Sequence, residues 1–162
     1  MQEVSDGPAW LATHMGYRLV ADCTLDDCVD AGEQFDAILL PGGMPGAERL
    51  RDCAALRAAA LAQRERGALV GAICAAPAVA LAEWGILTAD TPATAHPAFS
   101  DHLPNASQAS TRVVCTGDGV ITSRGPGTAF EFALAVVEEL CGAEVAADVA
   151  VPMVLHDSWR AR

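Results

Sequence analysis

Long apolar runs are missing from this 162-residue chain: charges or prolines interrupt each hydrophobic stretch before it reaches membrane-spanning length. Positive charge is scarce as well. Ten basic residues stand against 21 acidic ones, for a formal net charge of -11, which argues against nucleic acid and against an anionic membrane surface as partners. No CxxC pair occurs. The six cysteines (Cys23, Cys28, Cys53, Cys74, Cys115 and Cys141) are spaced for neither a zinc site nor a compact disulfide framework, so no metal and no cofactor is expected. The first residues read neither as a signal peptide nor as an arginine-rich, acid-poor transit peptide. Free thiols in a cytoplasmic compartment are therefore expected, with a chloroplast or another organelle as the alternative if a longer amino terminus exists. Internal repeats and low-complexity linkers are lacking too. What is abundant is apolar side chain, 52% of the residues, enough for a buried parallel sheet in one domain.

Residues before about Gly16 show no clear period, and 1–19 read as an irregular or divergent segment ahead of a domain over 20–162. A short strand is expected over 17–21. Thr24 reads as the N-cap of a short helix with Asp26 and Asp27 in its first turn and a stop near Gly32. Residues 35–40 read as a buried strand, broken at Pro41-Gly42-Gly43. One long helix is expected over 48–66, with Leu50, Cys53, Ala54 and Leu61 on one face and Gly67 as terminator. A strand over 69–73, a turn at Cys74 and a helix ending near Gly85 follow. Residues 113–115 and 120–122 flank Gly117-Asp118-Gly119 as a hairpin. Thr128-Ala-Phe-Glu131 has capping-box spacing and opens a helix through Leu140, stopped by Gly142. A short helix and the apolar stretch 151–155 complete the domain. Strands alternating with helices imply an α/β layered fold with a mostly parallel sheet. Ligands of such sheets bind beyond the carboxyl ends of the strands, where Gly42, Gly43 and Cys74 fall.

Cys74 is the strongest chemical candidate. It ends an apolar, β-leaning run and begins an alanine-rich helical one, the strand–nucleophile–helix turn in which hydrolases place serine. Unpaired N–H groups at a helix start favour an anion, and the thiolate is the attacking form. The competing reading is a buried structural cysteine. The Gly42-Gly43 loop offers an oxyanion hole, with the Gly43 N–H beside that of Ala75; the alternative is a tight strand-to-helix turn. His96, in Ala-His-Pro just after a possible strand, suits a Cys/His site, or structural hydrogen bonds in a loop. Arg124 enters a glycine-rich loop with Pro126 and suits either carboxylate binding or an ion pair. His14, His102 and His156 read as surface residues, and Cys23 and Cys28 as candidates for oxidation.

The stretches LLPGGMPGAERLRD, GALVGAICAAPAVAL, ATAHPAF and ITSRGPGTAFEFALAVVEEL together resemble the DJ-1/PfpI family. The resemblance implies a flavodoxin-like three-layer α/β sandwich and a homodimer. It places the family's nucleophilic, oxidation-prone cysteine on Cys74, the site histidine on His96, the backbone oxyanion and substrate-binding groups on Gly42, Gly43 and Ala75, and a supporting loop on Arg124 and Pro126. It also implies that the family's first strand-helix unit is missing here, together with the glutamate that serves as general acid/base. Glu3 and Asp22 are candidates to replace it only in being acidic.

Two functions follow from the resemblance. One is a glyoxalase III-like hydro-lyase or deglycase acting on methylglyoxal-type α-oxoaldehydes, its small aldehyde substrate held without glutathione. The other is a redox-sensing or chaperone-like stress protein that uses an oxidisable Cys74 and needs no general base. A protease is disfavoured because Ala75, not histidine, follows Cys74; an amidotransferase is disfavoured because Pro97-Ala98, not a His-x-Glu pair, follows His96.

Overall fold

The computed structural model describes residues 10–13 and 16–156. Two short strands, β1 (Trp10–Ala12) and β2 (Arg18–Val20), form an antiparallel hairpin of their own. A strand thus stands at residues 10–12, inside the segment read as irregular. The hairpin does not enter the main sheet, so the described part of residues 1–20 does not complete that sheet.

The main sheet comprises β3 (Ala37–Leu40), β4 (Leu69–Ile73), β5 (Val113–Cys115) and β6 (Val120–Ser123), in the order β3-β4-β6-β5. β3, β4 and β6 are parallel; β5 returns antiparallel to β6 through the glycine turn. Side chains alternate between two cores, as a period of two requires. Leu40, Val70, Ala72 and Val120 face one layer, while Leu69, Ile121 and Val113 face the other. The first layer holds α2 (Gly46–Asp52), α3 (Ala54–Glu65) and the π-helical turn Pro77–Leu81. The second holds α4 (Ala129–Cys141), whose Phe132, Ala135 and Val136 cover the sheet, with α5 (Ala143–Ala150) packed on it. This is the three-layer α/β sandwich expected.

Three expectations need correction. The helix expected over 48–66 is two helices. Cys53 is extended (φ -77, ψ 102), closing α2 and capping α3 through a hydrogen bond from Leu56 N to its sulfur at 3.4 Å. The Arg51 carbonyl, which a continuous helix would occupy itself, instead accepts the Trp84 indole N–H at 3.0 Å. The strand read as buried over 35–40 spans Ala37–Leu40 and lies at the sheet edge, with only Leu40 buried and Leu39 43% exposed. The capping box read at Thr128–Glu131 does not form, because both side chains are engaged elsewhere, as described below.

The first short helix, α1 (Leu25–Asp30), does carry a capping box. Asp27 N donates to Thr24 Oγ1 and Thr24 N to the Asp27 carboxylate, each at 3.1 Å. The Thr24 hydrogen bonds hold the Asp27 carboxyl below its usual pKa. No helix among the described residues is long and apolar enough to cross a membrane.

Candidate active site

At the carboxyl end of β4 the chain turns sharply. Cys74 takes φ 67, the left-handed region that a residue with a Cβ enters only at a cost of about 1–3 kcal/mol. Its backbone is held from two sides: Cys74 N donates to Ser123 O of β6 at 2.9 Å, and Cys74 O accepts His96 N at 2.8 Å. The strained turn is therefore fixed by the neighbouring strand and by the histidine loop. The side chain is half-buried, and its sulfur makes no hydrogen bond among the described residues.

Gly42 lies against this turn. A Cβ added there would stand 2.4 Å from Cys74 Cβ, 2.8 Å from Ile73 O and 3.2 Å from Cys74 Sγ. The close approach admits no larger residue and brings the loop after β3 to the thiol. Gly43 (φ 91) is exposed, Ala75 is buried, and neither N–H donates a backbone hydrogen bond among the described residues.

His96 is half-buried and caps the 3-10 turn Pro97–His102, not a strand end: residues 93–95 form a loop. That loop is anchored by fully buried Thr94, whose N–H donates to Thr122 Oγ1 and whose hydroxyl donates to Ala109 O, both at 3.0 Å. His96 Nδ1 accepts the Ala98 N–H at 3.2 Å. A neutral imidazole that accepts at Nδ1 carries its proton on Nε2. The ring meets Phe99 edge-on at 6.2 Å, and its Cδ2 lies 3.5 Å from where a Gly125 Cβ would stand. The structure thus brings Gly42, Cys74, His96 and Gly125 into one cluster.

The loop 123–128 is fastened by residues that the sequence did not point to. Ser123 and Thr128 hydroxyls are 2.6 Å apart; Thr128 Oγ1 also accepts Gly125 N at 3.1 Å and donates to Gly125 O at 2.9 Å. Arg112 Nε donates to Glu131 at 2.9 Å, and its terminal nitrogen donates to Gly127 O at 2.6 Å. The capping-box pattern masked these roles. An arginine one residue before a strand and 19 residues from a helical glutamate gives no signal until the fold joins them. Pro126 is exposed in the turn Pro126–Thr128. Arg124 makes no ion pair among the described residues; its Nε is buried without a partner. His102 is exposed, Asp22 is exposed, and Glu3 and His14 lie outside the described residues.

The sequence profile of the DJ-1/PfpI family matches residues 3–139. The chain belongs to this family. It is 45% identical over 139 residues to the zebrafish (Danio rerio) Parkinson disease protein 7 homolog, covering 84% of this chain and 71% of that one. To the Caenorhabditis elegans glutathione-independent glyoxalase DJR-1.2 it is 40% identical over 141 residues, 86% of this chain and 73% of the relative. Protein DJ-1 homolog B of Arabidopsis thaliana is 41% identical over 141 residues, 87% of this chain but 32% of the plant protein. The chain thus spans about a third of the length of that DJ-1 relative. The oxidised DJ-1 of Toxoplasma gondii superposes with a TM-score of 0.85 at 37% identity, over 92% of this chain and 79% of that structure. The DJ-1 neighbours carry the flavodoxin-like sandwich, with which the sheet order and both helical layers agree.

A cavity of about 730 Å³ lies at the opposite end of the sheet from Cys74, where Phe35, Arg66, Leu69, Asp118 and Leu140 line it. None of the predicted site residues reaches it. In parallel sheets the chemistry gathers at the carboxyl ends of the strands, and Cys74 and Gly42 stand there.

Proposed function

We propose that this DJ-1/PfpI chain is a cysteine-dependent glyoxalase III-like hydro-lyase of small α-oxoaldehydes such as methylglyoxal, independent of glutathione. The observation that carries the reading is Cys74: a half-buried thiol at a strained turn, pressed by Gly42 and tied through its carbonyl to His96. A relative at 40% identity bears the name of a glutathione-independent glyoxalase.

In this reading the Cys74 sulfur adds to the aldehyde carbon and the carbonyl π electrons move to oxygen. Gly43 and Ala75 N–H groups stabilise the oxyanion, which takes a proton to give a hemithioacetal. The proton on the former aldehyde carbon then moves to the neighbouring carbon through an enediol, leaving a thioester. Water cleaves the thioester, releasing a 2-hydroxy acid and the free thiol. His96, with Nδ1 occupied by Ala98 N–H, presents an Nε2 proton and so serves as donor and orienter before it serves as base. No carboxylate hydrogen-bonds Cys74 among the described residues. A positioned general base contributes roughly 10²–10⁴-fold, so turnover by this chain alone is expected to be slow.

Purified chain and its Cys74→Ser variant, given methylglyoxal without glutathione, are expected to differ in lactate production. Equal, background-level rates would remove the enzyme reading. The redox-sensor reading is favoured by the same bare sulfur, since oxidation to sulfinic acid needs no general base. Mass spectrometry after mild peroxide tests it, and oxidation spread evenly over the cysteines would reject it. A homodimer, the arrangement the family implies, belongs to either reading and is measured by sedimentation.

A further inference from the structure

The amino end of α1 carries two thiols that neither reading uses. Thr24 is the N-cap, so Cys23 stands just before the cap and Cys28 is the fourth helical residue. At these two positions apolar side chains ordinarily meet and fix the angle at which the chain enters a helix. Here both are cysteines, and their sulfurs lie 3.1 Å apart. The reciprocal Thr24–Asp27 bonds hold the turn between them independently of either sulfur. Cys23 is exposed, whereas Cys28 is buried, with 7% of its surface accessible.

We propose that Cys23 and Cys28 form a reversible dithiol–disulfide pair, closed by exchange with a small-molecule disulfide. A disulfide bond is ~2.05 Å long, so the sulfurs need to approach by only about 1 Å. Cys23, as thiolate, attacks one sulfur of the incoming disulfide, whose S–S bond breaks and expels one thiolate. Cys28 then attacks the Cys23 sulfur, gives up its proton and releases the second thiolate. The pair loses two electrons, the small disulfide gains them, and two small thiols leave. Exposure divides the labour: the reagent reaches Cys23, and Cys28 resolves the mixed disulfide from inside. The neighbouring Cys23 thiol and then burial push the Cys28 thiol up to about 11, with the Glu33 carboxylate adding to the effect. Cys28 therefore keeps its proton until the mixed disulfide forms.

The test uses the full chain carrying Cys74→Ser, so that the candidate active site contributes nothing. The protein is equilibrated in glutathione buffers from fully reduced to fully oxidised, acid-quenched, unfolded, alkylated and cut with trypsin. Cleavage after Arg18 and Arg49 gives one peptide that contains Cys23 and Cys28 and no other cysteine. In oxidised buffer this peptide is expected two hydrogens lighter and unalkylated, and dithiothreitol restores it. Cys28→Ser is expected to trap glutathione on Cys23. Closure in urea should require more oxidising buffer, because the turn no longer holds the sulfurs together. Alkylation of both thiols in fully oxidised buffer, glutathione on both, or equal midpoints in urea and in native buffer would each overturn the proposal.

Discussion

Cys74 and Gly42 constrain each other. The cysteine holds φ 67 at the strand end, and its Cβ stands 2.4 Å from where a Gly42 Cβ would be. Gly42→Ala therefore drives a methyl group into Cys74 or pushes the loop away, and either movement disturbs the thiol and the loop that carries Gly43. A displacement of ~1 Å can cost on the order of 10²-fold in rate. The expected outcome is a loss of that order in Cys74-dependent lactate production, with an unchanged far-ultraviolet dichroism spectrum. Full activity in the alanine variant would show that the loop is not pressed on the sulfur. The cysteine and the paired glycines were legible in the sequence, since a thiol between a strand pattern and a helix pattern and a Pro-Gly-Gly break are local signals. The hydrogen bonds that position them were not. Thr94, Ser123, Thr128 and the Arg112–Glu131 pair act across 15, 5 and 19 residues of sequence, and no local pattern carries such contacts. Even the spacing from Thr128 to Glu131 misled, because a hydroxyl and a carboxylate suited to a helix cap served the loop and Arg112 instead.

Among the elements, α3 is tied to the sheet by one buried amide. Gln63, 1% exposed, donates from Nε2 to Phe35 O at 2.8 Å and Leu69 O at 3.3 Å, and accepts from Arg66 at 2.6 Å. It thereby closes the carbonyls at the amino ends of β3 and β4. Gln63→Leu keeps the volume but removes both donations, leaves Phe35 O only the longer Arg66 bond at 3.4 Å and takes away the acceptor of Arg66, and should destabilise the chain by about 1–3 kcal/mol. Urea denaturation reads this as a lower midpoint at unchanged slope, and an unchanged midpoint would show that the carbonyls find other donors. At this scale the strands were readable: β4 matches its apolar run, and β5 and β6 match the runs flanking the glycine turn. So was α1, whose Thr24 and Asp27 signals are local. The break at Cys53 was not readable. It lacks glycine or proline, and what completes it is the Trp84 indole on Arg51 O, 33 residues away. Nor could periodicity show that β3 lies at an edge with Leu39 exposed, because edge position depends on strand order.

For the whole molecule, two electrostatic effects oppose each other. A net charge of -11 repels itself more in the compact state than in the unfolded chain. Against this stand three ion pairs among the described residues: Arg51–Asp52 and Arg64–Asp118 at 2.8 Å, and Arg112–Glu131. The aspartates of the first two are 64% exposed, and such surface pairs contribute about 0–1 kcal/mol each. The third joins a Glu131 that is 10% exposed to an Arg112 that is 45% exposed, so it is shielded from salt on one side only. Screening shortens from about 10 Å at 0.1 M to about 3 Å at 1 M, so added salt relieves the long-range repulsion, while the exposed contact pairs contribute little that salt could remove. Sodium chloride is the appropriate salt, because sulfate would also strengthen apolar burial by exclusion. Stability should rise as sodium chloride is added. A gain of ~1 kcal/mol corresponds to roughly 2–4 °C in Tm for a chain of this size, within reach of calorimetry. A Tm that falls as chloride rises would mean that the ion pairs outweigh the excess of acidic groups, and that the negative surface is not a burden on this fold.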